Sequence, residues 1–261
     1  MNRIKKLFSE KNKNILSIYF TAGFPKLNDT GKILSALQKH GADLIEVGMP
    51  YSDPLADGPV IQQSSMIALN NGITIKKLFE QLGNCRDNIH LPLILMGYLN
   101  PVLQFGIEEF CRDAHNAGID GIILPDLPLY EYESEYKSIF EKFNLDFIFL
   151  ITPETTADRI RKIDDLSNGF IYAVSSSSIT GTDKNMHAQE QYFQRLKDMK
   201  LKNPVIVGFG IKDFQTFSQA CRHTAGAIIG TAYIKAIENS VNIESDTSKF
   251  LNSILQPQSV S

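Results

Sequence analysis

Hydrophobic positions along the chain fall into short apolar runs that alternate with longer amphipathic stretches. Apolar runs lie at residues 15–20, 44–48, 91–98, 118–125, 146–151, 170–174, 204–210 and 225–230, each too short for a helix and bounded by Gly, Pro, Asp or Asn. Such runs predict strands buried on both faces, as in a parallel sheet. The stretches between them predict helices over 28–40, where Ile33, Ala36 and Leu37 make one apolar stripe, and over 62–69, 75–86, 107–116, 130–143, 157–166, 190–199 and 214–222. Two more helices are expected from about 232 and from 248, and Gly41 closes the first helix of the series. The fragments HGADLIEVG, NAGIDGIILP and TAGAIIG repeat one design, a helix end and a glycine just before a buried strand. Eight strands alternating with helices in 261 residues predict one closed (β/α)8 TIM barrel, a single domain over 1–261 with extra helices, and 62–69 followed by 75–86 is one place where a helix is added. An open doubly wound sheet is the alternative.

Composition agrees with a large single core, since 43% of residues are hydrophobic. A net charge of -3, a pI near 6.0 and scattered Lys and Arg with no basic block argue against nucleic acid or an anionic membrane surface as partner. Cys85, Cys111 and Cys221 are odd in number and far apart, with no CxxC or Cys/His spacing, so they read as reduced thiols and no metal is indicated. The first 15 residues are charged and amphipathic without a signal-like apolar segment, and no run reaches membrane-spanning length. A soluble cytoplasmic protein is the expectation.

The run LIEVG carries a carboxylate, Glu46, on the same side as Leu44 and Gly48, with Ile45 and Val47 on the other. An ionised carboxylate there must be paired, or be held protonated near neutral pH, or lie at the open end of the strand. All three options suit a general acid or base, and a pair with a buried Lys or Arg that serves the fold alone is the structural reading. The next segment, MPYSDPLADGP, packs three prolines, one glycine and two aspartates into a stiff loop able to hold Asp57 in one place, with Asp53 there as a turn former. In a barrel the C-terminal strand ends would gather Glu46, Asp57, Asp126, Tyr172, the loop SSSSITG and the segment GFG at one mouth. Gly181, Gly208, Gly210 and Gly230 leave backbone N–H groups open to close approach, and Gly230–Thr231 begins a helix just after the eighth strand, which together predict a phosphate site. Tyr172 is placed either as a core aromatic or as a substrate contact, and Phe209, between two glycines, either touches ligand or plugs a loop. The five histidines fall mostly at helix ends and loops, and none is assigned as a general base.

LIEVGMPYSDPLADG resembles the signature of the tryptophan synthase alpha subunit family. The resemblance runs through nearly the whole chain: FTAGFP after the first strand, MGYLNP after the third, ILPDLP after the fourth, ITG in the sixth loop, GFGI after the seventh and GTA after the eighth. It implies a lyase that cleaves indole-3-glycerol phosphate to indole and glyceraldehyde 3-phosphate by a retro-aldol reaction in L-tryptophan biosynthesis. Indole would pass to a beta subunit carrying pyridoxal phosphate, in an alpha2-beta2 heterotetramer, and no cofactor is implied in this chain. Position by position, Glu46 resembles the catalytic acid/base, Asp57 the carboxylate facing the indole N–H, and Tyr172 the tyrosine behind the sixth loop. Thr180 is in place for substrate contact, and Gly181, Gly210, Gly230 and Thr231 match the phosphate cradle, with Thr231 standing where serine is common. The wording SSSSITG departs from the commoner loop. A catalytically idle scaffold for the beta subunit, a stand-alone lyase and another phosphosugar barrel are the competing readings.

Overall fold

Alternate residues of a buried strand must satisfy two different environments, and this chain meets the outer one with aliphatic and aromatic side chains and the inner one with a mixture of apolar and polar residues. The computed structural model describes residues 2–174, 183–208 and 210–257, with the side chains of 183–189 excepted. Parallel strands β1 (Ile15–Thr21), β2 (Leu44–Gly48), β3 (Leu93–Met96), β4 (Gly121–Ile123), β5 (Asp146–Phe147), β6 (Leu150–Ile151), β7 (Ile171–Val174), β8 (Val205–Gly208) and β9 (Gly226–Ile229) form one sheet in the order β5-β4-β3-β2-β1-β9-β8-β7-β6. Its two edges, β5 and β6, are halves of one continuous segment. The Ile148 N–H donates to Ile122 O at 3.0 Å on one side, and the Tyr172 N–H donates to Phe149 O at 2.9 Å on the other. Residues 146–151 therefore act as a single stave, bonded to β4 by its first half and to β7 by its second, that closes the sheet into a barrel of eight.

Helices cover the outer face. They are α1 (Arg3–Glu10), α2 (Thr30–His40), α3 (Pro59–Asn70), α4 (Ile75–Cys85), α5 (Leu99–Phe105), α6 (Ile107–Asn116), α7 (Leu129–Glu131), α8 (Lys137–Lys142), α9 (Ala157–Leu166), α10 (Asp183–Asp198), α11 (Phe214–His223), α12 (Thr231–Ile237) and α13 (Ile243–Leu255). A π turn, Tyr132–Tyr136, joins α7 to α8. Leu16, Ile18 and Phe20 of β1 face this helical layer and are fully buried, while Ser17, Tyr19 and Thr21 face the barrel interior. The register Tyr19↔Glu46↔Ile94 carries the inward side around the wall, so Glu46 points inside between β1 and β3. Two tyrosines lean over glycines of the neighbouring strand: a Cβ at Gly48 would lie 2.2 Å from the Tyr19 hydroxyl, and one at Gly208 would lie 2.1 Å from that of Tyr172. Only glycine fits at either place.

At the end of the barrel where the strands begin, α1 forms a plug. Asn2 caps it by accepting from the Ile4 N–H at 2.8 Å, and Ile4, fully buried, seats beside Gly121 and Gly169. A buried polar cluster locks the same end. Asp120 Oδ2 accepts from Arg86 Nη2 and from the Leu93 N–H, both at 3.0 Å, and its Oδ1 takes Arg3 Nη1 at 3.1 Å. Arg86 also donates to Ile89 O and Leu91 O. Removing the carboxylate would leave the buried guanidinium uncompensated. Asp120→Ala is expected to cost about 3–5 kcal/mol, read as a lowered denaturant midpoint with an unchanged slope; a loss under about 1 kcal/mol would refute this account of the cluster.

Candidate active site

The opposite end of the barrel gathers the polar residues expected there. Glu46 has no exposed surface. Its Oε1 accepts from Ser17 Oγ at 2.9 Å, and its Oε2 has no hydrogen-bond partner among the described residues. No Lys or Arg pairs with it among those residues, so the structural alternative of a buried ion pair is not what the interior holds. Burial pushes its carboxyl up to about 8, and the Ser17 hydroxyl moderates that rise. Glu46 is therefore a neutral acid at pH 7 that becomes a base within one unit of it, as a group that both gives and takes a proton requires.

Asp57 is half-buried in the loop between β2 and α3. Its Oδ2 accepts from the Tyr98 hydroxyl at 3.1 Å, and the same hydroxyl accepts from the Ala56 N–H at 3.0 Å. Tyr98, just after β3, thereby fixes both the backbone and the carboxylate of the neighbouring loop. Its ring also packs on Tyr51, 5.3 Å between centroids. Burial raises the Asp57 carboxyl above its usual range and the Tyr98 bond lowers it. Asp126, expected among the mouth groups, is used differently: both its oxygens accept from the Leu99 N–H, at 2.9 and 3.0 Å, and tie the loop after β4 to the start of α5. The loops after β2, β3 and β4 are thus cross-linked to one another.

Tyr172 is almost fully buried on β7, and its hydroxyl is held protonated by burial and then by the charges of Glu46, Asp57 and Tyr19. Tyr19 is raised likewise, by burial first and then by Asp57. Glu46, Asp57, Tyr19, Tyr98 and Tyr172 therefore form one electrostatically connected set. Gly210 adopts a positive φ of 76° with open space where a Cβ would be. Gly230 precedes α12 and lies against the Tyr19 ring, and Thr231 is exposed at the first helical position. Thr180, Gly181 and Phe209 lie outside the described residues, as does the whole of the loop SSSSITG. Among the described residues no three metal-ligating side chains converge, and no helix is long and apolar enough to cross a membrane. The three cysteines are free.

Sequence reasoning passed over Ser17, Tyr19 and Tyr98. The signal was present in β1, where Ser, Tyr and Thr occupy alternate places in an apolar strand, the mark of a polar stripe facing inward.

The sequence model described as "Tryptophan synthase alpha chain" matches residues 5–259. This chain belongs to that family. Membership makes it a lyase of tryptophan biosynthesis. It is 56% identical over 241 residues to the tryptophan synthase alpha chain of Flavobacterium johnsoniae, covering 92% of this chain and 95% of that one. The alpha chain of Flavobacterium psychrophilum is 55% identical over 256 residues, 97% of this chain and 100% of its own. Among solved structures, tryptophan synthase subunit alpha from Legionella pneumophila superposes with a TM-score of 0.87 at 37% identity, covering 97% of each chain. A Mycobacterium tuberculosis tryptophan synthase structure gives 0.86 at 30% identity, covering 98% of this chain and 99% of that one. The barrel expected from the strand pattern is the fold of these family members.

Proposed function

We propose that the chain, working as one barrel domain over residues 1–261, cleaves indole-3-glycerol phosphate to indole and glyceraldehyde 3-phosphate, with Glu46 as the acid and then the base. The observation that carries this reading is a carboxyl with no exposed surface that has, among the described residues, no cation against it, one oxygen anchored and the other without a hydrogen-bond partner, in the same interior as Asp57. Indole carbon leaves poorly until the ring is protonated at C3. Glu46 donates that proton, and positive charge develops on the indole nitrogen, where the anionic Asp57, held by Tyr98, stabilises it. Ionised Glu46 then takes the glycerol hydroxyl proton as the carbon–carbon bond breaks, which restores the starting acid. Tyr172, Thr180 and Phe209 contact the substrate, and Gly181, Gly210, Gly230 and Thr231 hold its phosphate through backbone N–H groups and the Thr231 hydroxyl.

Family membership implies a beta subunit, and an alpha2-beta2 assembly in the cytoplasm is the arrangement we favour, with pyridoxal phosphate in the beta partner. The cross-linked loops supply a docking face. Leu55 in the loop after β2, Leu103 in α5 after β3 and Tyr130 in α7 after β4 are 93%, 43% and 76% exposed, large apolar side chains on three successive connections. Contact there would reach Asp57 through the Ala56–Tyr98–Asp57 bonds. The test is indole release from indole-3-glycerol phosphate by the purified chain with and without a beta subunit. Slow release alone, accelerated by the partner, is expected. Full activity alone would overturn the subunit reading, and no release under either condition would overturn the lyase reading.

A further inference from the structure

Resting on the assignment of Glu46 above, we propose that Ser17 is a positioning residue that makes the two oxygens of Glu46 inequivalent, anchoring Oε1 so that Oε2 alone exchanges protons with the substrate. Both residues are fully buried, and Ser17 lies one strand away on β1, turned inward by the same alternation that brings in Tyr19 and Thr21. Its hydroxyl donates to Oε1 at 2.9 Å, and no other hydrogen bond of either Glu46 oxygen is made among the described residues. In a neutral carboxyl, the oxygen that accepts a hydrogen bond is the carbonyl oxygen, so the acidic proton resides on Oε2. A buried carboxyl with no hydrogen bond can exchange its two oxygens by turning about its last torsion, which is broad and roughly two-fold, and the Ser17 bond pins it.

The proton balance follows. Oε2–H gives its proton to indole C3, the resulting carboxylate takes one proton from the glycerol hydroxyl as the bond breaks, and the Ser17 hydroxyl keeps its own proton throughout. In the intermediate state the Ser17 hydroxyl donates to an anion, where a hydrogen bond is strongest, so it favours the first transfer. The titratable groups sharing the interior are Tyr19 on β1, Asp57 after β2, Tyr98 after β3 and Tyr172 on β7. None of the tyrosines ionises near neutrality, because burial raises them all, and Asp57 is bonded to Tyr98. The high-pH limb of kcat/KM, where the neutral acid is lost, is therefore set by Glu46.

The experiment compares Ser17→Ala and Ser17→Thr in the full chain with the beta subunit present, following indole release across pH. In Ser17→Ala the high-pH limb moves up by about one unit and kcat falls about tenfold, because the ionised carboxyl has lost its stabilising bond and the neutral one its fixed orientation. Ser17→Thr keeps the hydroxyl and restores the limb. An unmoved limb in Ser17→Ala overturns the proposal, and so does equal impairment of both variants, which marks a packing role. Glu46→Gln in parallel separates the two claims: if it retains activity, the assignment of Glu46 fails, whatever Ser17 does.

Discussion

Glu46→Gln removes about three orders of magnitude or more from kcat for indole release while leaving the barrel folded, because one carboxyl supplies both the proton at C3 and the base for the hydroxyl. The amide keeps the shape and can still accept from Ser17, but it has no proton of useful acidity. Steady-state assays with the beta subunit present check this, and retention of more than about a tenth of the activity would remove Glu46 from the mechanism. The same variant carries a stability signature of definite sign. The folded carboxyl titrates near 8 and an exposed one near 4.5, so between those values the folded chain holds a proton that the unfolded chain has released. Stability contributed by this residue is therefore greatest below 4.5 and declines as pH rises to 8, by an amount on the order of 5 kcal/mol. Glu46→Gln abolishes that slope. Thermal melts at pH 5 and pH 8 should show the wild-type chain losing ground to the variant at the higher pH; parallel changes would contradict a buried neutral acid.

Asp57→Asn is the second large effect, with kcat reduced about a hundredfold or more and KM altered far less, since the lost charge acts on a cation that exists only as the reaction proceeds. Tyr98→Phe removes the hydroxyl that holds both Asp57 and the Ala56 N–H, and about a tenfold loss is expected from a carboxylate left free to turn. The double variant should be scarcely worse than Asp57→Asn alone, because the tyrosine acts through the aspartate. Additive losses would show that Tyr98 has its own contact with substrate.

Much of this architecture is legible before any coordinates. β2 (Leu44–Gly48) and α6 (Ile107–Asn116) lie where the periodicity places them, because a buried strand needs continuous apolar sequence and a surface helix needs a stripe. The failures are equally physical. α1 is only eight residues long and buries Ile4 fully but Leu7 and Phe8 only in part, so its stripe is weak in the sequence, and its start is held by contacts with the far-off Asp120. α5 contains Pro101, which reads as a breaker, yet it stands in the first turn, where no intrahelical donor is missed. α13 begins at Ile243, ahead of the expected start near 248, behind an Asn242 cap that accepts from the Ser245 N–H and was there to be read. In the site, Glu46 is conspicuous because a charge interrupts an apolar run. Ser17 shows only through the polar alternation along β1, and Tyr98 not at all, since a tyrosine in a loop gains meaning only from what lies across from it.

The closing stave and the seam between β1 and β9 bear on how the chain comes to life. Ile15 pairs with Gly226, so the first strand of the wall waits for the last. Tyr19 stands at that seam, over Gly48 on one side and against Gly230 on the other. Contacts so distant along the chain form late, after many shorter loops have closed. The wall beside Tyr19 therefore cannot be built until residue 226 and those after it have been made, and a chain cut short before that point lacks one side of the pocket in which Glu46 and Asp57 work.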